Sequence, residues 1–355
     1  MTTDPKISLL VPTHNRAVSL KRLLESVFGC ATSVSYEVVV VDNNSKDQTK
    51  ELVHSYGDRV RYVFEGNTSF TRARHTGAQH ARGQIMVYLD DDVIVHAGTL
   101  EAIEEIFDKH PDCAVAGGKI LPQFEQEPPQ WVLDLQSSFN GLSLYNLGEQ
   151  EKEVDAVPGP IMAIRKSVYQ EVGGFPPDTV GVETNVAEKT FKKLYVGPGD
   201  YGFCRRCKTH GYKIFYSPKI TVEHVIPPYR LTQEFWMSRM VGEGHCGALT
   251  RINMDEFKMQ GAQKARREFE NVRCLVRHYL KSKLQRLRGA KVPLLPDEIW
   301  FYYYASMLKM QGVLHNSPGL AAYLWDLGLQ GVADKNFDSV IKELPGAYQK
   351  LAFKG

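Results

Sequence analysis

Ile85-Met86-Val87-Tyr88-Leu89-Asp90-Asp91-Asp92 decides how this chain is read: five apolar residues run directly into three carboxylates. A strand buried on both faces appears in sequence as a short continuous apolar run, and ligands of open α/β sheets bind beyond the carboxyl ends of such strands. Acids gathered at a strand tip suit a hard divalent cation, which takes oxygen ligands, and they equally suit a solvated turn. Strand alternation predicts that Asp90 and Asp92 project together while Asp91 faces away.

Upstream of this stretch, apolar runs alternate with amphipathic segments. Strands are expected over Ile7 to Val11, Val38 to Val41 and Val60 to Phe64, and helices over Val18 to Phe28, Lys46 to Tyr56 and Thr71 to Ala81. That alternation implies βαβ units and a parallel sheet. Neither G-x-G-x-x-G after the first strand nor G-x-x-x-x-G-K-[ST] anywhere is present, so the dinucleotide and P-loop readings lose their main support. Downstream, the pattern becomes mixed from Thr99 to Val225, with a helix near Thr99 to Asp108 and a Pro- and Gln-rich loop at Leu121 to Trp131. Beyond Pro227-Pro228 it turns helical, over Thr232 to Cys246, Ala262 to Leu287 and Pro296 to Gln311.

The 355 residues, 43% hydrophobic and 24% charged, are long and apolar enough for a sizeable core, which excludes a disordered or fibrous chain. A formal net charge of +2 gives no case for a nucleic-acid partner. No basic-then-apolar leader and no bilayer-length apolar run is seen, so a cytoplasmic location is expected. The six cysteines are scattered, and Cys204-x-x-Cys207 lacks the second pair that a structural zinc would need.

Five segments, taken together, resemble the family 2 glycosyltransferases. Val11-Pro12-Thr13-His14-Asn15-Arg16 is similar to the family's P-T-x-N-R, and Val41-Asp42-Asn43-Asn44-Ser45 to its V-D-N/D-x-S. Phe70-Thr71-Arg72-Ala73-Arg74-His75-Thr76-Gly77 resembles G-L-S-x-A-R-N-x-G, with Ser69 in place of the glycine and His75 in place of the asparagine. Asp90-Asp91-Asp92 fits D-x-D. Gly199-Asp200-Tyr201-Gly202-Phe203-Cys204-Arg205-Arg206, followed by Gly211-Tyr212-Lys213-Ile214 and Val222-Glu223-His224, is similar to E-D-x-D-L-x-x-R, G-[YW]-x-I and V-x-H, with Gly199 and Gly202 at positions usually acidic.

The resemblance implies a GT-A fold: α/β, a mostly parallel central sheet flanked by helices, with a C-terminal helical extension. It divides the chain into a catalytic domain at 1–228 (nucleotide half 1–98, acceptor half 99–228) and a helical region at 229–355. It implies inverting transfer of a sugar from a nucleotide sugar, UDP favoured, to a saccharide or lipid-linked saccharide, in polysaccharide or glycoconjugate synthesis. Nucleotide-binding residues would be Pro12, Thr13, Asn15, Arg16, Asp42, Asn44, Arg74, Asp90 and Asp91. Asp42 would accept the uracil imide N–H, a task that suits an acceptor-only carboxylate; a turn capping the next helix explains Asp42 to Ser45 as well. Asp92 and His224 would bind Mn²⁺ or Mg²⁺, and Asp200 would be the catalytic base. Gly159, Pro160, Gly174 and Phe175 would lie on the acceptor side, where glycines allow close approach; a turn without ligand contact is the competing reading.

Two rivals remain. A sugar-1-phosphate nucleotidyltransferase would want a glycine-rich loop near the N-terminus, and Val11 to Arg16 contains no glycine. An inactive carbohydrate-binding relative is opposed by the presence of Asp92, Asp200 and His224.

In the C-terminal region, Gly242-Glu243-Gly244-His245-Cys246-Gly247 is expected to be a mobile loop closing over the diphosphate, with Arg239 and His245 in it. Residues 264–291 form a basic helix with an apolar stripe, Phe269, Val272, Val276, Tyr279 and Leu280. Such a helix either lies on an anionic membrane, at the inner face of the cytoplasmic membrane, or packs its stripe on the rest of the chain, the usual fate of apolar stripes. The run Trp300-Phe301-Tyr302-Tyr303-Tyr304 fits core, a homodimer contact or a membrane-interface anchor.

Overall fold

The computed structural model describes residues 4–175, 182–186, 189–194, 199–252 and 262–315. The first four strands, β1 (Ile7–Thr13), β2 (Tyr36–Asp42), β3 (Arg61–Phe64) and β4 (Ile85–Leu89), alternate with helices α1 (Ala17–Gly29), α2 (Thr49–Ser55) and α3 (Phe70–His80). There follow β5 (Val93–Val95), α4 (Thr99–Lys109), β6 (Cys113–Phe124), α5 (Gln130–Ser138), β7 (Lys152–Glu153), β8 (Ile161–Arg165), α6 (Lys166–Val172), β9 (Val182–Val186), β10 (Lys189–Leu194), α7 (Gly199–Thr209) and β11 (Lys213–Ile226). Three long helices, α8 (Gln233–Ile252), α9 (Ala262–Leu287) and α10 (Pro296–His315), complete the described chain.

Two compact units result. The first holds a nine-stranded sheet in the order β3-β2-β1-β4-β8-β6-β11-β5, with β7 paired to β11. β3, β2, β1 and β4 are parallel, as the alternation of runs and amphipathic segments predicts. Beyond β4 the pairings of β8 with β4 and β6, and of β11 with β5 and β7, are antiparallel. All seven residues of β1 and all five of β4 are buried, which is why β4 is an unbroken apolar run and β1 is apolar but for Ser8 and Thr13. α1 covers one face with Leu20, Leu23, Leu24 and Val27, and α4 does so with Leu100, Ile103, Ile106 and Phe107, both at helical spacing. Each such side chain contributes about 2 kcal/mol on burial.

The second unit gathers α5, the β9–β10 hairpin and α8 to α10. Segments far apart in sequence thus meet, which a linear division at 228 does not describe.

Two local expectations are corrected. The strand stops at Leu89, so Asp90 to Asp92 occupy a turn and strand alternation does not govern their directions. The stretch Gly242 to Gly247 is not a loop but the middle of α8. A Cβ on Gly244 would run into the Tyr303 carbonyl and sit 2.9 Å from Ser306 Cβ, and one on Gly247 would meet the Tyr303 hydroxyl. These glycines let α8 and α10 approach closely, and the expectation of mobility mistook close packing for freedom.

Candidate active site

The carboxyl ends of the parallel strands lie side by side. Thr13 is in register with Asp42, Asp42 with Phe64, and Leu10 with Tyr88, two residues short of Asp90. β8 runs antiparallel to β4 with Ile161 opposite Leu89, so the approach to β8 passes the acidic tip, where the Asp90 amide donates to the Pro160 carbonyl at 3.2 Å. The end of β11 returns beside β5 with His224 opposite Val93, and the Val225 amide donates to the Asp92 carbonyl at 2.9 Å. Backbone pairing therefore brings the regions around residues 13, 42, 90, 160 and 224 to one edge.

At that edge Asp92 Oδ1 lies 3.3 Å from His224 Nε2, and both residues are buried. Asp92 Oδ2 accepts from Arg16 Nη1 at 2.7 Å, and the same nitrogen donates to Asp91 Oδ1 at 3.0 Å. Thr13 Oγ1 donates to Asp91 Oδ2 at 2.7 Å. Burial pushes the Asp91 carboxyl up to about 6, with Arg16 drawing it back and Asp92 adding to the rise. Burial also raises Asp90, and Asp92 and Asp200 add to this while Arg74 and His224 oppose it. Burial works against the charge on Arg16, yet Asp91 and Asp92 hold it well above the ordinary value. Within this acidic turn Arg16 compensates Asp91 and Asp92 while Arg74 faces Asp90, and Asp91, bonded to Thr13 and Arg16, braces the turn from inside.

Asp200 stands in the first turn of α7 and pairs through Oδ1 with Arg74 Nη1 of α3. Arg74 is buried, its guanidinium 4.2 Å from the Phe70 ring centre and 4.7 Å from that of Phe175, with Tyr88 at 5.7 Å. Such faces attract a cation and hold it in place. The Tyr88 hydroxyl donates to the Arg74 carbonyl at 3.1 Å. Gly159 closes over the pair: a Cβ there would run into Asp200 Oδ2 and lie 2.7 Å from Arg74 Nη2.

Asp42 is buried, Oδ1 accepting from the Ser45 amide and Oδ2 from the Tyr62 hydroxyl, each at 2.8 Å. The turn at Asp42 to Ser45 therefore forms, but it does not cap the next helix, since α2 starts only at Thr49, after Gln48; each Asp42 oxygen keeps a second lone pair for a ligand. Burial, followed by this bond, raises the Tyr62 hydroxyl well above its usual range. Asn15 and Asn44 adopt left-handed backbone, φ 54° and 64°. Asn15 Oδ1 accepts from the Lys46 amide at 2.6 Å, and its own amide donates to Ser45 Oγ at 2.9 Å. Asn44 Nδ2 donates to Thr68 Oγ1 at 3.3 Å. Pro12 is buried within β1, opposite Val41.

Gly173 and Gly174 both have positive φ and cap α6, their amides donating to the Tyr169 carbonyl. Phe175 is fully buried beneath Arg74, and its carbonyl lies 3.1 Å from His75 Nε2, while His75 Nδ1 is 2.7 Å from the Tyr169 hydroxyl. Burial holds the His75 ring down to about 4. Of the four residues expected on the acceptor side, Gly159 and Pro160 adjoin the acidic tip and Asp200, whereas Gly174 and Phe175 form internal support. In the second unit, Arg239 pairs with Glu243 at 3.0 Å, and the side chain of His245 lies outside the described residues.

Sequence reasoning did not single out Asn43 or the aromatic seat of Arg74. Asn43 clamps the loop before α3, its Oδ1 accepting from the Ser69 amide at 2.8 Å and its Nδ2 donating to the Asn67 carbonyl at 2.7 Å. Ser69 in turn caps α3, accepting from the Arg72 amide. The available signal was the place of Asn43 inside the Val41 to Ser45 motif; its burial appears only in the fold.

Among the described residues no three His, Cys, Asp or Glu side chains converge into a metal cage. An Asp–His pair with an acidic neighbour nevertheless fits a hard cation that completes its coordination with phosphate oxygens and water, as Mg²⁺ and Mn²⁺ sites on nucleotides do. Cys204 and Cys207 are buried on α7, their thiols pushed up by burial, Cys207 to about 12, which suits packing better than metal binding.

The family model described as glycosyl transferase family 2 matches residues 8–173. The glucosyl-dolichyl phosphate glucuronosyltransferase of Haloferax volcanii is 24% identical over 245 residues, 68% of this chain and 75% of that protein. Glycosyltransferase AglE of the same organism is 24% identical over 234 residues, 64% of this chain and 69% of that protein. Among solved structures, the mannosyltransferase PcManGT from Pyrobaculum calidifontis, in complex with GDP-Man and Mn²⁺, aligns with a TM-score of 0.49 and 17% identity over 99% of this chain and 84% of that one. The match of residues 8–173 to glycosyltransferase family 2, together with the two Haloferax volcanii relatives, identifies this chain as a glycosyltransferase.

Proposed function

We propose that the chain transfers a sugar, with inversion, from a nucleoside diphosphate sugar, UDP favoured, to a hydroxyl of a saccharide or lipid-linked saccharide during polysaccharide or glycoconjugate synthesis. The observation that carries this reading is the meeting, at one sheet edge, of the Asp92–His224 pair and of Asp200 held by Arg74. A lipid-linked acceptor draws support from the name of the Haloferax volcanii glucuronosyltransferase, which specifies a dolichyl phosphate substrate.

Asp92 and His224 would hold Mn²⁺ or Mg²⁺, which when bound supplies positive charge for the leaving diphosphate. Asp42, Thr13 and Pro12 would line the pocket for base and ribose, and Asp90 would bond a ribose hydroxyl. With Asp200 Oδ1 engaged by Arg74, Oδ2 is the oxygen that takes the acceptor hydroxyl proton. The acceptor oxygen then bonds to the anomeric carbon as the bond to the diphosphate breaks on the opposite face, so configuration inverts without a covalent intermediate. The leaving diphosphate carries away the electron pair.

Thermal-shift titration with nucleotide sugars, with and without Mn²⁺, tests donor and metal together, because a ligand of the folded state raises apparent stability. UDP-sugars are expected to stabilise the protein only with the metal. Asp200→Asn should keep that stabilisation and lose transfer; normal transfer by this variant would overturn the base assignment.

A further inference from the structure

The described part of α9 presents two different faces. One is anchored: His278 Nδ1 lies 2.7 Å from Asp297 Oδ1 and its ring stacks on Trp300 and Tyr304 of α10, while Arg286 pairs with Glu298 at 2.6 Å. Asn271 and Ser282 are buried along the same side. The aromatic run of α10 is thereby spent inside this unit, with Trp300 edge-on to Phe139 and Tyr303 against the α8 glycines.

The other face carries Phe269, Val272, Val276, Tyr279, Leu280 and Leu287, all exposed, with Leu280 at 59%, Phe269 at 67% and Leu287 at 85%. On a helix of 3.6 residues per turn these six fall within an arc of about 100°. Among the described residues of its own unit the stripe stays exposed rather than covered, apart from Tyr279 beside Phe301 of α10, whereas ordinary amphipathic helices lead one to expect a packed stripe. Beside it along the helix run Arg273, Arg277, Lys281 and Arg288, and Glu270 is the one acid between residues 269 and 291. Side chains 264–268, which the basic stretch also includes, lie outside the described residues.

A stripe this long is unusual on a soluble surface, and its neighbours decide what covers it. A protein partner of ordinary composition would leave four cations facing no matched charge, whereas an anionic bilayer offers acyl chains to the stripe and lipid phosphates to the cations at the same depth. Tyr279, with Phe301 of α10 at 5.6 Å, is of the type that settles at headgroup level. No helix among the described residues is long and apolar enough to cross a membrane. We propose that α9 is a membrane-surface helix, its stripe seated among the headgroups of an anionic bilayer and its basic flank on their phosphates. This stands on the second unit alone and does not depend on the sugar chemistry.

Flotation of the full chain with vesicles tests it. Phosphatidylcholine vesicles with about one-third phosphatidylglycerol are expected to carry at least about tenfold more protein than phosphatidylcholine alone, and added salt should reduce that binding. R277E/K281E/R288E and, separately, V276S/L280S should each lower it about tenfold or more while melting temperature and donor hydrolysis stay unchanged, since every altered side chain except the basic ones' stems faces solvent. Failure of the wild type to float with anionic vesicles overturns the proposal, as does undiminished flotation of either variant. So does a change in molecular mass by light scattering for V276S/L280S without any vesicle binding, which would assign the stripe to a protein contact.

Discussion

Arg74 and Asp200, 126 residues apart in sequence, form an ion pair in which the arginine is buried and the aspartate is partly open. The guanidinium is held on its other sides by Phe70 and Phe175, so it fixes the carboxylate rather than being fixed by it. Arg74→Lys keeps the charge and loses the planar fork, which is what sets the carboxylate's orientation. We expect kcat to fall on the order of tenfold with the donor Kd nearly unchanged. A donor Kd that worsens as much as kcat falls would return Arg74 to the nucleotide.

Gly159 bears on the same pair from the opposite side. In Gly159→Ala the new methyl group must displace Asp200 Oδ2 or Arg74 Nη2. Overpacking of this kind costs about 2 kcal/mol, and the shifted carboxylate should lower kcat at least about tenfold. Chemical denaturation and steady-state rates, measured on the same preparation, check both effects.

Arg16 is the cation that compensates Asp91 and Asp92. Removing it in Arg16→Ala leaves two buried carboxylates with one positive partner fewer. Its partial exposure moderates the cost to about 2 kcal/mol. Because a divalent cation at Asp92 would restore the missing charge, Mn²⁺ should raise the melting temperature of the variant more than that of the wild type. Equal shifts would separate Arg16 from the metal site.

His224 and Asp92 face each other at 3.3 Å. His224→Ala and Asp92→Ala should each weaken Mn²⁺ binding in the presence of UDP by about ten- to a hundredfold, read by electron paramagnetic resonance of the free ion. Unchanged Mn²⁺ affinity in both would remove the pair from the metal site.

His75 sets an acid limit on stability. Its ring is held down to about 4 from an ordinary 6.5, so above pH 6.5 it is neutral in both folded and unfolded chains. As pH falls from 6.5 toward 4 the unfolded chain takes up a proton that the folded chain refuses, and stability is lost across that window. Discounted for partial exposure, the loss is on the order of 2 kcal/mol. Urea midpoints over this range should fall less steeply in His75→Asn.

The parallel half of the fold was legible because β1, β2 and β4 are buried on both faces and their neighbouring helices show helical spacing. α9 likewise runs from Ala262 to Leu287, as its composition predicts. α2 begins later than expected, at Thr49, because Asp47 accepts from the Thr49 amide and from Ala17, ending the preceding loop with a side-chain bond that composition does not reveal. At the acidic tip the motif marked the position of Asp90 to Asp92 but not the directions of Asp91 and Asp92, which follow from Thr13 at the end of β1 and Arg16 at the start of α1. Arg74 was assigned toward the nucleotide, yet its ion pair to Asp200 depends on Phe175, which lies against both Arg74 of α3 and Phe203 of α7, a relation between distant segments that no local pattern carries.

Asn15 and Asn44 hold left-handed backbone where nucleotide loops of other folds use glycine, and both spend their side chains tying neighbouring loops. A rim built this way has little conformational freedom left to lose. Donor binding at the proposed site should therefore carry a small entropic penalty from the protein, and replacing either asparagine by glycine would keep the backbone shape while restoring that penalty.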